Sequence, residues 1–196
     1  AMLTKAFVRA MLSVAFFGVI SSFSGVFVNQ IDRYLINDYC DLGATGVYTI
    51  AFYFGSMILV PGRSIIRISS TVISESFKRG DNENVQKVFR KCTTNMLIIG
   101  LFLFIMILGN IENILFILPA EYAEGRYVIL FIAISHLIQM AASVSGEIIQ
   151  YSKYYPWHTF IMIVLIGLIV GLNIWLLPIY GITGAAIASM LAFFIY

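Results

Sequence analysis

The stretch from Ala44 to Lys78, ATGVYTIAFYFGSMILVPGRSIIRISSTVISESFK, begins with the composition of a membrane-spanning helix and ends with that of a polar one. At helical spacing Thr49, Tyr53, Ser56, Val60, Arg63, Arg67, Ser70 and Ser74 share one face. Phe52, Phe54, Met57, Ile58, Leu59, Ile65, Ile66 and Ile68 cover the others. An arginine facing lipid costs several kcal/mol, so two on one face of a membrane helix point into a protein-lined or watery cavity. The fold this dictates is all-α: a polytopic transmembrane helix bundle with a wet interior.

Composition agrees. The 196 residues are 60% hydrophobic and 11% charged, and their mean hydropathy of +0.93 lies outside the range of soluble domains with mixed surfaces. A net charge of +2, dispersed along the chain, leaves no footprint for nucleic acid and no polybasic membrane tether. Lys5 and Arg9 precede an apolar run in the manner of a signal peptide. That run reaches Val28, too long for a signal sequence, and is expected to be the first span.

The hydropathy pattern predicts about six spans in one transmembrane lobe covering 1–196: residues 7–28, 44–68, 92–109, 127–150, 159–177 and an incomplete 182–196, which implies that the chain ends inside a helix and is a fragment. In span one Gly18, Ser22, Gly25 and Asn29 share a face, expected to pack on a neighbour because small residues favour membrane-helix contacts. Span four carries a second polar stripe of His136, Gln139, Ser143, Glu147 and Gln150, and span five only Asn173 and the Gly167–Gly171 pair, which favours close packing. The connections 30–43 and 110–126 are acidic, with the apolar ILFILP of the latter at the interface, whereas the amino end, Lys78–Lys91 and Lys153 are basic. Cytoplasmic loops are enriched in lysine and arginine, so the amino end of this segment is assigned to the cytoplasm. Cys40 and Cys92 then fall on opposite sides of the membrane.

Spans two and four run in the same direction, and at 1.5 Å per residue Arg63 and Arg67 stand about 28 and 34 Å from the start of span two, with Glu147 about 30 Å along span four. The three are expected to share a vestibule at the cytoplasmic mouth. There the arginines would receive an anionic head group, Glu147 would hold them or respond to ions, and Ser70 and Gln139 would add hydrogen bonds. A structural ion pair or snorkelling side chains would account for the same pattern. Pro61 removes a backbone hydrogen bond and marks a hinge beside Arg63. Asp32 and Arg33 are expected to pair at the outer end of span one, where they could gate the path. Gly80-Asp81-Asn82 reads as a helix stop and turn. His136 and His158 lie too far apart for a metal site, His136 reading as a hydrogen-bonded interface residue, and no Gly-rich phosphate loop occurs, so neither metal, cofactor nor catalytic residue is expected.

IDRYLI, LGATGVYTIAFYFGSMILVPGRSIIRIS, SESFKRGDNENVQKVFRK, NIENILFILPAEY and YGITGAAIAS together resemble the Wzx-like polysaccharide flippases of the multidrug/oligosaccharidyl-lipid/polysaccharide exporter superfamily. The resemblance covers essentially the whole chain through diffuse patterns. It implies two pseudo-symmetric lobes around a cavity open alternately to either side, this chain being the C-terminal lobe and its partner the missing N-terminal lobe. It further implies a protein of the bacterial inner membrane that moves undecaprenyl-diphosphate-linked oligosaccharide to the periplasmic leaflet without ATP, its cavity arginines meeting the diphosphate at positions matched by Arg63 and Arg67. Membrane lipids and other polysaccharide-assembly membrane proteins are the further partners implied. The proline often found near Thr71–Ile73 is here Pro61. Two other functions fit a bundle of this kind. A cation-coupled drug exporter of the same superfamily is disfavoured by the arginine pair, and a membrane-embedded polymerase or ligase by the short outer loops.

Overall fold

The computed structural model describes the backbone of residues 5–195 and the side chains of residues 11, 12 and 15–195. Lys5 and Arg9, and with them the start of the span read from residue 7, lie outside the described side chains. Helix α1 (Lys5–Tyr39) runs on through most of the segment expected to be a loop, because Ile31, Leu35 and Ile36 continue its apolar spacing and pack inward. The chain turns only at Cys40. Asp41 then caps α2 (Leu42–Ser56), its carboxylate accepting the Ala44 N–H at 2.6 Å.

The second span is not one helix. A bend of 54° separates α2 from α3 (Leu59–Arg79). The cause is local: Pro61 has no N–H for the Met57 carbonyl, so Val60 donates to it at 3.1 Å, and Met57 itself donates back only three residues, to Phe54 O at 3.3 Å. The helix breaks a turn ahead of the proline. Gly80, with φ 70°, ends α3, and the Asp81 side chain starts α4 (Asn82–Gly109) by accepting from Asn84 N at 2.9 Å, the expected stop and turn. The basic segment 82–91 therefore belongs to the helix of span three. Helix α5 (Ile111–Ile117), with Phe116 and Ile117 exposed, and a 3₁₀ turn (Ala120–Gly125) lead into α6 (Arg126–Tyr151), close to the expected fourth span.

Helix α7 (Tyr155–Ile195) folds back on itself at Gly181, where φ 56° and ψ −140° suit only glycine. Asn173 and Ser189 bind one carboxylate, at 2.9 and 2.6 Å, although a straight helix would hold them about 24 Å apart. The arms on either side of Gly181 thus lie antiparallel.

Among the described residues, three helices are long and apolar enough to cross a membrane (Asn82–Gly109, Ala120–Tyr151 and Tyr155–Ile195), and α2 with α3 makes a fourth if the bent pair is one span. The chain is a helical membrane bundle with two apolar clusters. One joins α2, α3, α4 and α6 around Tyr48, Ile58, Met96, Ile129 and Met140, and takes in Ile36 of α1 and Leu177 and Ala185 of α7. The other ties α1 to both arms of α7 through Val28, Leu165, Ile169 and Phe193. Phe102, Phe116 and Trp175 face outward, as a lipid-exposed surface allows.

A polar cavity system between the two clusters

Helices α2 and α3 lie alongside α6 in parallel. The places where a Cβ would stand on Gly55 and Gly62 meet Ile132 and Met140, an offset of 77 or 78 positions. This register brings the polar face of α2–α3 and the polar stripe of α6 to one interior space, closed on its third side by α1. The space holds a cavity of about 830 Å³ lined by Asn29, Arg33, Tyr53, Arg63, His136 and Gln139, among others. A second, of about 290 Å³, shares Ser22, Asn29, Gln139 and Ser143 with it and adds Glu147, Gln150 and His158.

Two cations from different helices line the larger cavity. Arg63 comes from α3; Arg33 comes from α1, half-buried, with its guanidinium 4.6 Å from the Phe52 ring centre and 5.4 Å from that of Tyr53. Arg33 donates from Nη1 to Gln30 Oε1 at 2.6 Å, while its buried Nε has no partner. Across from it, His136 stands edge-on to Phe52 at 5.4 Å. Its Nδ1 lies 3.0 Å from Gln139 Oε1, and its Nε2 is buried without a partner. Buried polar atoms ordinarily find partners, so two orphans on one cavity mark a place built to receive a polar ligand or water.

The expected residues divide. Arg63 and Gln139 line the larger cavity, and Glu147 and Gln139 the smaller. Arg67 and Ser70 line neither: Arg67 is exposed, and Ser70 Oγ donates to its carbonyl at 3.1 Å. Of the face predicted to be continuous, Tyr53, Ser56, Val60 and Arg63 line the cavity, on both sides of the bend, and Thr49, Arg67, Ser70 and Ser74 do not. By the α6 register Arg67 stands near residue 145 and Arg63 near 141, so Arg63 lies about 9 Å short of Glu147 by helical rise rather than at its depth. Among the described residues no ion pair joins Glu147 to either arginine; the three ion pairs are Arg79–Glu75, Lys87–Glu83 and Arg126–Glu112.

Asp32 and Arg33 do not pair as expected. Successive residues on a helix point about 100° apart, and while Arg33 turns to the cavity, Asp32 is 2% exposed at the meeting of α1, α2 and both arms of α7. There Tyr48 Oη and Ser189 Oγ donate to its Oδ2 at 2.8 and 2.6 Å, and Asn173 Nδ2 to its Oδ1 at 2.9 Å. The face of span one expected to pack is instead cavity lining: Ser22, Gly25 and Asn29 border the space, and a Cβ on Gly18 or Gly25 would meet nothing within 4 Å. Gly167 and Gly171 are equally open, and the close helix approaches occur at Gly55, Gly100, Gly125 and Gly184. Neither the role of Asp32 nor that of Arg33 was legible beforehand; the solitary Asn173 in an otherwise apolar span was the available signal.

No protein-family profile and no solved structure matches the chain. Among curated proteins it is similar to the probable low-salt glycan biosynthesis flippase Agl15 of Haloferax volcanii, at 20% identity over 186 residues. That similarity takes in 94% of this chain but 39% of the relative, so the chain spans well under half of the protein it matches.

Proposed function

We propose that the chain forms one lobe of a flippase for lipid-linked oligosaccharide, carrying an undecaprenyl-diphosphate-linked glycan from the cytoplasmic to the periplasmic leaflet of a bacterial inner membrane for surface polysaccharide biosynthesis. The observation that carries this reading is the convergence of Arg33 and Arg63 on one polar cavity inside an apolar bundle. Guanidinium groups bind phosphate oxygens through paired N–H donors, and two of them on one cavity are a receptor for a diphosphate. The similarity to a glycan biosynthesis flippase supports the same cargo. In this scheme the protein is a transporter rather than an enzyme: the cavity alternates between the two sides, the other lobe supplies its facing wall, and a gradient or substrate flux supplies the energy. The 54° bend ahead of Pro61 is the hinge position for that alternation.

The test uses the complete gene deleted in its own host, with surface polysaccharide as the readout. Wild type should restore it, Arg33→Gln/Arg63→Gln at matched membrane abundance should not, and Arg67→Gln should come close to wild type. Equal restoration by the double variant would remove the arginines from the transport path. Surface polysaccharide unchanged by the deletion itself would sink the flippase reading.

A further inference from the structure

The larger cavity does not end at its arginines. It shares Asn29, Gln139 and Ser143 with the second, and that one shares Ser21, Gln150 and His158 with a third of about 390 Å³. From His136 to Gln150 the α6 stripe bordering the system is about 21 Å long by helical rise. The chemistry changes along it. Arg33 and Arg63 line only the first cavity, and no lysine or arginine among the described residues lines the second or third.

What replaces the cations is a mixture of hydroxyls, amides, the His158 imidazole and one carboxylate, set against an apolar wall that includes Val28, Ile66, Leu165 and Phe193. Serine hydroxyls and glutamine amides both donate and accept, and a carboxylate accepts from two neighbouring hydroxyls at once. Glu147 is half-buried, and among the described residues no hydrogen bond or ion pair occupies its oxygens. A second phosphate would be repelled there, and an apolar chain would leave the Glu147 carboxylate unsatisfied, whereas the hydroxyls of Ser21, Ser143, Ser152 and Thr159 already have partners within the bundle. At the far end Phe17 and Tyr155, edge to face at 5.7 Å, line the third cavity and offer a flat apolar surface beside the polar groups. A neutral, polyhydroxylated ligand fits every part of this description.

We propose that the extension past Gln139 is the binding path for the sugar chain of the substrate, with Glu147 and Gln150 as its principal hydrogen-bonding residues. The proposal rests on the flippase reading and adds a division of labour to it. The diphosphate sits between Arg33 and Arg63, and the glycan lies along α6 toward Tyr155.

The complete gene product in lipid nanodiscs is titrated with farnesyl diphosphate and with farnesyl diphosphate carrying a disaccharide of N-acetylglucosamine or of galactose. At least one glycosylated probe should bind about tenfold tighter than the bare one. Glu147→Ala/Gln150→Ala should remove most of that increment and leave farnesyl diphosphate binding as it was. Glu147→Gln, which keeps an acceptor, should retain it, and that rescue separates recognition from damage to the fold. An increment that survives the double alanine variant, or no increment with either sugar, overturns the sugar path while the flippase reading stands. Farnesyl diphosphate binding that ignores Arg33→Gln/Arg63→Gln overturns both.

Discussion

Arg33 reaches the cavity between two aromatic faces, and that setting makes its side chain hard to replace. A lysine would keep the charge but lose the planar stack on Phe52 and the paired donors, a difference of roughly 1–2 kcal/mol for a desolvated cation–π contact. Arg33→Lys should therefore weaken farnesyl diphosphate binding about tenfold. Arg63, for which no ring contact exists among the described residues, should tolerate lysine with a smaller loss; equal losses at the two sites would show that the stack does not matter. Just past the same end of α1, partial burial and the neighbouring Asp41 carboxylate push the Cys40 thiol above its ordinary pKa. Less of it is thiolate at neutral pH, so maleimide labelling should accelerate at higher pH than for an unhindered thiol. Asp41→Asn removes the second cause while still capping α2, and should move the labelling profile to lower pH. An unmoved profile would leave burial as the sole cause.

Among the elements, the fold-back in α7 depends on two glycines for two reasons. Gly181 supplies the left-handed turn, and Gly184 lets the arms touch, since a Cβ there would stand 2.3 Å from the Leu176 carbonyl oxygen. Backbone atoms cannot rotate aside, so Gly184→Ala should cost about 1–3 kcal/mol as overpacking does, measured by unfolding in mixed detergent micelles. Gly167→Ala, into open space, should be neutral or stabilising by up to about 1 kcal/mol through helix propensity. If both variants behave alike, the arms are not in close contact. The pair of arms was legible as two apolar runs separated by Pro178 and Gly181, and the Gly80-Asp81 turn as a stop signal, because each is a local backbone rule. The break in the second span was legible only in part. Pro61 announced a disturbance, but the lost hydrogen bond is that of the preceding turn, so the bend falls at Met57–Ile58.

At the level of the whole molecule, the α6 stripe and Arg63 were readable because one helix's periodicity sorts its own faces. The partners of α1 were not, since nothing in a single helix states which neighbour it meets. Asp32 shows the difference. In sequence it is an acidic residue beside an arginine, and in the bundle it accepts hydrogen bonds from α2 and from both arms of α7, joining the α1–α7 cluster to α2 through Tyr48. Asp32→Ala leaves the donors of Tyr48, Asn173 and Ser189 without an acceptor in a region with little water. At the average of about 0.6 kcal/mol measured for side-chain hydrogen bonds inside membrane proteins, three of them amount to roughly 2 kcal/mol. The larger penalty of about 1–3 kcal/mol for each donor left buried and unpaired makes that a lower bound. Asp32→Asn should fall between the two: its oxygen can still accept from Tyr48 and Ser189, but its NH₂ then confronts the Asn173 NH₂, and relief requires Asn173 to turn and give up its bond to the Ile169 carbonyl. Detergent unfolding midpoints ordered wild type, Asn, Ala from most to least stable are the expected result. An alanine variant as stable as wild type would mean that the apolar clusters alone hold α1 and α7 to the rest of the bundle.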